Sequence, residues 1–250
     1  MAGHKSACNG RCDNLEQFNI TMAFQPVVDV IAQDIYAYEA LVRGTNGEGA
    51  GEILAAVTDE NRYAFDQSCR VKAIELAAKL GMRQRLNINF MPNAVYSPQA
   101  CLQKTLQAAK QHCFPAEHIT FEFTEDEQIM DHAHIIDIVR TYRMHGFSTA
   151  IDDFGAGYAG LSLLADFDAD VIKIDRKIVQ GIHDNKNRQA IMQGVLKTAE
   201  LLGTHVVCEG VETQDEYKYL QASGVRYMQG YLFARPQIET LTGRVDIQWP

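Results

Sequence analysis

Asp152 and Asp153 stand side by side at the end of an apolar run, in STAIDDFGAGYAGLSLL over residues 148–164. Neighbouring like charges repel, so folding alone gives no reason for the pair. A glycine-rich turn follows at once, and Gly155, Gly157 and Gly160 fit the spacing G-x-G-x-x-G. That spacing alone is a weak sign of a dinucleotide cradle. Such a cradle offers backbone amides and a helix N-terminus to a bare pyrophosphate. Two aspartates just before it would repel that pyrophosphate unless a metal ion stood between.

Further polar residues recur late in short apolar runs. Side chains alternate faces along a strand. In LNINF, Asn87 and Asn89 lie opposite Leu86, Ile88 and Phe90; in ITFEFT, Glu122 lies opposite Ile119, Phe121 and Phe123. In VIKID, Lys173 and Asp175 oppose Ile172 and Ile174; in HVVCEGV, Val207 and Glu209 oppose Val206 and Cys208; in YEALVR, Glu39, Leu41 and Arg43 share a face. If the apolar faces pack under helices, Glu39, Asn89, Glu122, Lys173 and Glu209 all project toward one axis. So many acids in one place require a counter-charge. Carboxylates with an amide oxygen suit the hard ions Mg²⁺ or Mn²⁺, and no Cys/His set accompanies them to suggest zinc. One aspartate of the pair can bridge two ions. Its neighbour reaches the second because the chain turns there, which the following glycines permit.

Elements able to hold such a set are legible along the chain. β-rich runs at 22–28, 36–43, 86–90, 119–124, 148–153, 171–175, 205–211 and 228–234 alternate with helical stretches. Residues 67–80 place Val71, Ile74 and Ala78 at helical spacing, and 188–202 place Ile191, Val195, Ala199 and Leu202 likewise. Ser97-Pro98 reads as a helix start, and Thr213-x-x-Glu216 as a capping box closed by Gly224. Strand then helix, repeated over 250 residues, predicts an α/β fold of the (β/α)8 barrel type. The first two runs are too close for a helical crossover and must pair antiparallel. No linker or internal repeat divides the chain; residues from about Gln237 read as a short cap or tail.

Composition narrows the function classes. A net charge of −9 argues against a binder of nucleic-acid polymers. No apolar run approaches the ~18 residues of a membrane span. The start Met1-Ala2-Gly3-His4 resembles neither a signal peptide nor a myristoylation site, so a cytoplasmic protein is expected. Cys69, Cys101, Cys113 and Cys208 read as buried reduced thiols, whereas His4, Cys8 and Cys12 form at most a weak metal or redox motif in a polar tail. His132 and His134 read as a solvated helix start, since positions i and i+2 do not share a helix face.

Seven stretches, in order, resemble the EAL-type cyclic-di-GMP phosphodiesterases: YEALVRG with Glu39-Ala40-Leu41, LNINF, FEFTE, DDFGAGY, VIKID, CEGVET and QGYLFARP. The resemblance covers about residues 18–238, leaving 1–17 and 239–250 as tails. It implies a modified TIM barrel with one antiparallel strand, and hydrolysis of cyclic-di-GMP to linear pGpG with two Mg²⁺ or Mn²⁺. By resemblance, Glu39, Asn89, Glu122 and Asp152 hold one metal. Asp152 and Asp153 hold the second, with Glu209 reaching it directly or through water. Lys173 resembles the lysine that contacts the attacking water, and Glu209 or Lys173 is the base. Gln229, Leu41 and Arg43 resemble substrate contacts, Arg43 to phosphate, and Glu125 the acid that steadies the loop after Asp153. Asp175, Glu212 and Pro236 fill further motif positions. A homodimer is also implied.

The chain departs from the family pattern at Ala156, Ala159 and Gly160, where hydroxyl residues are common, and at Gly44, where an aromatic is common. The altered loop keeps two alternatives open: a catalytically silent receptor or protein-binding module on the same barrel, and a metal phosphodiesterase for another nucleotide.

Overall fold

The computed structural model describes residues 18–124, 132–157, 160–166 and 168–250. Strands β1 (Ile20–Asp29) and β2 (Asp34–Gly44) form an antiparallel hairpin, as their short connection requires. Six further strands follow: β3 (Arg85–Asn89), β4 (Ile119–Thr124), β5 (Ser148–Phe154), β6 (Val171–Ile174), β7 (His205–Cys208) and β8 (Tyr227–Met228). From β2 to β8 each strand pairs parallel with the next. β1 pairs antiparallel with both β2 and β8 and so closes an eight-stranded barrel.

The helices between these strands are α1 (Ala50–Ala55), α2 (Arg62–Lys79), α3 (Pro98–Gln111), α4 (His132–Met144), α5 (Gly160–Asp166), α6 (Arg176–Val179), α7 (Lys186–Leu202) and α8 (Gln214–Ala222). Pro98 opens α3, and Thr213 and Glu216 form the expected capping box at α8. A last strand, β9 (Gln237–Ile238), pairs with Ala23 and Phe24 of β1. The chain beyond it stays packed: Thr242 gives its carbonyl to the Tyr38 hydroxyl, and Ile247 is buried.

Strand parity divides the apolar residues into two clusters. Leu86, Ile88, Phe121, Phe123, Ile151, Ile172, Ile174 and Cys208 join the helices in the main core. Val27, Ala37, Ala150, Val171, Val207 and Tyr227 form a separate cluster of the opposite parity, inside the barrel. Each inner residue of the parallel strands lies two positions before a polar one: Ala37 before Glu39, Ala150 before Asp152, Val171 before Lys173, Val207 before Glu209, Tyr227 before Gln229. An apolar floor thus supports a polar layer toward the C-terminal ends of the strands, where barrels build their sites.

Some expectations need correction. Of the run 228–234 only Met228 is strand, with Tyr227 in β8, because the chain turns tightly at Gly230. A Cβ on Gly230 would lie 2.1 Å from the Val211 carbonyl oxygen. Cys69 is half-buried, and Cys113 is exposed rather than buried; Cys113 follows the end of α3 in a left-handed conformation, φ 52°. The helix expected from Val71, Ile74 and Ala78 is α2, whose buried stripe runs through Asp66, Arg70, Ala73, Ile74 and Ala77, with Val71 and Ala78 half-buried beside it. Arg70 tolerates this because Asp66, one turn earlier, meets it at 2.8 Å. Its guanidinium also lies over Phe90 and Phe121 and donates to the Tyr142 hydroxyl at 2.6 Å. The second Asp66 oxygen accepts from the Met91 amide at 3.0 Å. This network ties α2 and α4 to the chain just past Asn89.

Removing one partner of a buried ion pair costs about 3–5 kcal/mol. Asp66→Ala is expected to lose that much stability in urea unfolding, and Asp66→Asn somewhat less, since its amide oxygen still accepts one of the two hydrogen bonds although its NH2 then faces a donor.

Candidate active site

Lys173 is wholly buried at the centre of the polar layer. Four carboxylates from four strands or their ends converge on its ammonium: Glu209 Oε1 at 2.6 Å, Glu122 Oε2 at 2.8 Å, Asp152 Oδ1 at 3.0 Å and Glu39 Oε2 at 3.3 Å. Amides hold the outer oxygens. Asn89 Nδ2 donates to Glu39 Oε1 at 2.8 Å, and Asn87 Nδ2 to Glu122 Oε1 at 2.7 Å. Gln229 Nε2 donates to Glu39 Oε2 at 2.8 Å and to Gln25 Oε1 at 3.1 Å. Asn87 and Gln25 are site residues without an assigned role in the sequence reading. Asn87 shares its face with Asn89, which was the available signal; Gln25 comes into place only through the antiparallel register that sets it opposite Glu39.

The aspartate pair has a local cause. The β5–β6 register breaks between Ile151 and Phe154, and Asp153 takes a left-handed conformation, φ 53°. Aspartate tolerates that region better than most residues. The break therefore lies at Asp153 itself, before the glycines expected to supply it. Glu39, Glu122 and Asp152 bring one oxygen each within 4.8 Å of one another, and so do Asp152, Asp153 and Glu209. The two triads share Asp152.

The ammonium does not neutralise this group. Burial, together with Glu39 and Asp152, holds the Glu122 carboxyl well above its ordinary range despite Lys173. Burial and Asp152 do the same to Glu209. Burial also raises Asp152, helped by Glu39. For Glu39, burial is outweighed by Lys173 and the Gln229 and Asn89 hydrogen bonds, and its carboxyl lies low. Burial opposes the charged Lys173, yet the surrounding acids hold its ammonium well above the ordinary lysine value. The residues fit two hard divalent cations on two counts. Two such ions and Lys173 together balance the charge of Glu39, Glu122, Asp152, Asp153 and Glu209. Gln229 also keeps a buried Oε1 without a hydrogen-bond partner.

Above the layer opens a cleft of about 350 Å³, lined by Glu39, Asp152, Asp153, Glu209 and Gln229 and rimmed by Arg176, Glu212 and Tyr231. Asp175 lines it too and caps α6. Leu41 lines this cleft and also an apolar cavity of about 540 Å³ beside Phe65, Phe90 and Met91. Arg43 donates to the Val42 carbonyl at 2.7 Å and is not among the cleft-lining residues. At Gly44 the space of a side chain is taken by Glu48, whose carboxylate lies 2.0 Å from where a Cβ would be. Glu125 and Ala159 lie outside the described residues, as do Cys8 and Cys12.

A sequence model of the EAL domain matches residues 12–236. The chain belongs to the EAL domain family. Among curated relatives, the EAL chain is 32% identical over 233 residues to the Blue light- and temperature-regulated antirepressor BluF of Escherichia coli, covering 93% of this chain and 57% of the relative. It is 34% identical over 225 residues to the cyclic di-GMP phosphodiesterase PA2567 of Pseudomonas aeruginosa, covering 87% and 38%. The chain thus spans well under two thirds of these relatives. Among solved structures, it is 51% identical to a standalone versatile EAL protein of Vibrio cholerae in its c-di-GMP-bound form, with a TM-score of 0.88 over 91% of this chain and 96% of that one. A manganese and cyclic-di-GMP complex of Klebsiella pneumoniae BlrP1 is 36% identical, with a TM-score of 0.84 over 89% and 57%. The barrel with its antiparallel first strand is the EAL fold. Among the described residues no helix is long and apolar enough to cross a membrane.

Burial, Asp152 and Asp175 raise the Asp153 carboxyl from 3.8 to about 6. A raised carboxyl contributes stability that is full below about pH 4 and lost as pH rises through about 6. In EDTA, Asp153→Asn is therefore expected to melt above the unsubstituted protein at pH 8, with the gap closing toward pH 4. Thermal unfolding followed by circular dichroism checks this.

Proposed function

We propose that this chain is a two-metal phosphodiesterase that hydrolyses cyclic-di-GMP to linear pGpG in bacterial second-messenger signalling. The observation that carries the reading is the pair of carboxylate triads sharing Asp152 around a buried lysine. Glu39, Asn89, Glu122 and Asp152 would hold one Mg²⁺ or Mn²⁺, and Asp152, Asp153 and Glu209 the other. When bound, such ions clamp a phosphodiester, acidify water and stabilise a leaving oxygen.

The chain's own groups do the rest. Asn89 and Gln229 fix Glu39, and Asn87 fixes Glu122, so these carboxylates are held in place before a cation arrives. Lys173 orients the attacking water and stabilises developing charge on it. Glu209, in contact with the Lys173 ammonium, is the group able to accept its proton. Water oxygen bonds to phosphorus, the P–O3′ bond breaks, the released O3′ takes up a proton to become a hydroxyl, and the phosphate stays on the 5′ oxygen, as pGpG requires. Leu41 joins the cleft to the apolar cavity, which has room for one guanine; Gln229 contacts substrate from the opposite side. Residues 18–238 form the catalytic barrel in this reading.

A second reading, a silent receptor or protein-binding module, draws support from the antirepressor relative and from Ala156, Ala159 and Gly160. The proposed metal-ligand positions are nonetheless all occupied by ligating residue types.

A time course with cyclic-di-GMP in Mg²⁺ or Mn²⁺, resolved by chromatography beside an EDTA control, separates the two. The expected result is metal-dependent pGpG, absent in EDTA. Glu39→Ala is expected to lose more than about a hundredfold in turnover, since even outer-shell changes at metal sites cost up to that much. Nucleotide binding without product would favour the receptor, and unchanged turnover in Glu39→Ala would sink the two-metal assignment.

A further inference from the structure

The apolar cavity of about 540 Å³ is walled by Met22, Leu54, Phe65, Cys69, Ala73 and Met91. Its cover among the described residues is thin. α1 supplies Leu54 to the wall yet buries no residue of its own, and Leu54 stays 44% exposed. An apolar recess of this size that opens to water marks a binding surface. The described chain begins at its edge. Phe18 sets its ring edge-on to Phe65, with centroids 5.3 Å apart. The Asn19 carbonyl accepts from the Thr45 amide at 3.1 Å, on the segment that leads into α1. From Ile20 the chain runs away into β1, so the residues before Phe18 start from the mouth of the cavity.

The sequence before Phe18 points to the occupant. Cys8, Cys12, Leu15 and Phe18 recur at intervals of four, three and three, the spacing of an apolar stripe. Asp13, Asn14, Glu16 and Gln17 flank Leu15 with polar groups suited to the solvent side. Leu15 stands three residues before Phe18, so its Cα lies within about 11 Å of that of Phe18 in any conformation. A tether this short gives the segment a high effective concentration at the cavity, an advantage that a separate molecule lacks. We infer that residues 8–17 of this chain dock on the apolar cavity, with Leu15 inserted beside Phe65 and Cys69. One consequence rests on the phosphodiesterase reading: the same cavity has room for a guanine, so Leu15 withdraws when substrate binds.

The test is the rate at which N-ethylmaleimide labels Cys69 in the full chain, read by mass spectrometry of each cysteine peptide, in EDTA and without nucleotide. Leu15→Asp is expected to speed Cys69 labelling about tenfold or more, because it gives up the burial of a leucine. Leu15→Met is expected to keep the slow rate. Exposed Cys113 and buried Cys101 and Cys208 are the references, and their unchanged rates show that the barrel is intact. Equal Cys69 rates in Leu15→Asp and the unsubstituted protein overturn the inference and leave the cavity to a separate molecule. Protection that disappears on dilution assigns the cover to a second copy and overturns it as well. The KM for cyclic-di-GMP, followed as pGpG in Mn²⁺, is expected to fall about threefold or more in Leu15→Asp with kcat unchanged. An unchanged KM beside faster Cys69 labelling upholds the docking and moves guanine out of this cavity. If the unsubstituted protein makes no pGpG, the enzymatic reading fails while the labelling rates still decide the place of Leu15.

Discussion

One buried ammonium organises this protein. Lys173 draws Glu39, Glu122, Asp152 and Glu209 within 3.3 Å of a single nitrogen. An ammonium has three protons and one charge, so four carboxylates exceed what it can satisfy. The excess is visible in Glu122 and Glu209, whose carboxyls are held high by burial and by their neighbours. A hydrophobic barrel interior would be the less costly arrangement. The surplus negative charge makes sense as a receptacle for cations. The same surplus would repel an anionic substrate unless those cations were present.

The barrel makes the convergence possible through repetition. Parity sends every second residue inward, and the parallel register aligns the strands. The floor of Val27, Ala37, Ala150, Val171, Val207 and Tyr227 excludes water from below. The next inward position on each strand is then forced into the polar layer. Asp153 is the exception to parity, and the chain meets it with a local break: a register shift and one left-handed residue. Such conformations cost about 1–3 kcal/mol each and persist where the surroundings impose them. Here the break gives the second triad its own aspartate.

Support comes from outside the ring of carboxylates. The Asp66 carboxylate grips the amide of Met91, two residues past Asn89, and is itself gripped by Arg70 under Phe90 and Phe121. Gln25 accepts from Gln229, which in turn steadies Glu39. The contact of Gly230 with the Val211 backbone brings the chain after Gln229 close to that after Glu209. These contacts hold oxygens in place in advance, which is how a site avoids reorganisation when charge develops.

Much of this was legible in the residues alone. Strand parity put Glu39, Asn89, Glu122, Lys173 and Glu209 on one face, and alternating strands and helices implied the barrel, because both follow from local periodicity. The short link between Asp29 and Asp34 determined the antiparallel hairpin. Long-range register decided the rest. That Gln25 would meet Gln229 depends on β1 lying between β2 and β8, and no local pattern encodes that. The burial of Arg70 was hidden because a charged residue on a helix reads as solvated until Asp66, Tyr142 and two rings are known to surround it. The short β8 and the turn at Gly230 depend on a backbone approach between segments far apart in sequence. The types of residue in the polar layer were thus set by sequence, whereas their distances, their unequal proton affinities and the neighbours that restrain them were decided by the closed barrel. Only closure brings strands from both ends of the chain into one low-dielectric space.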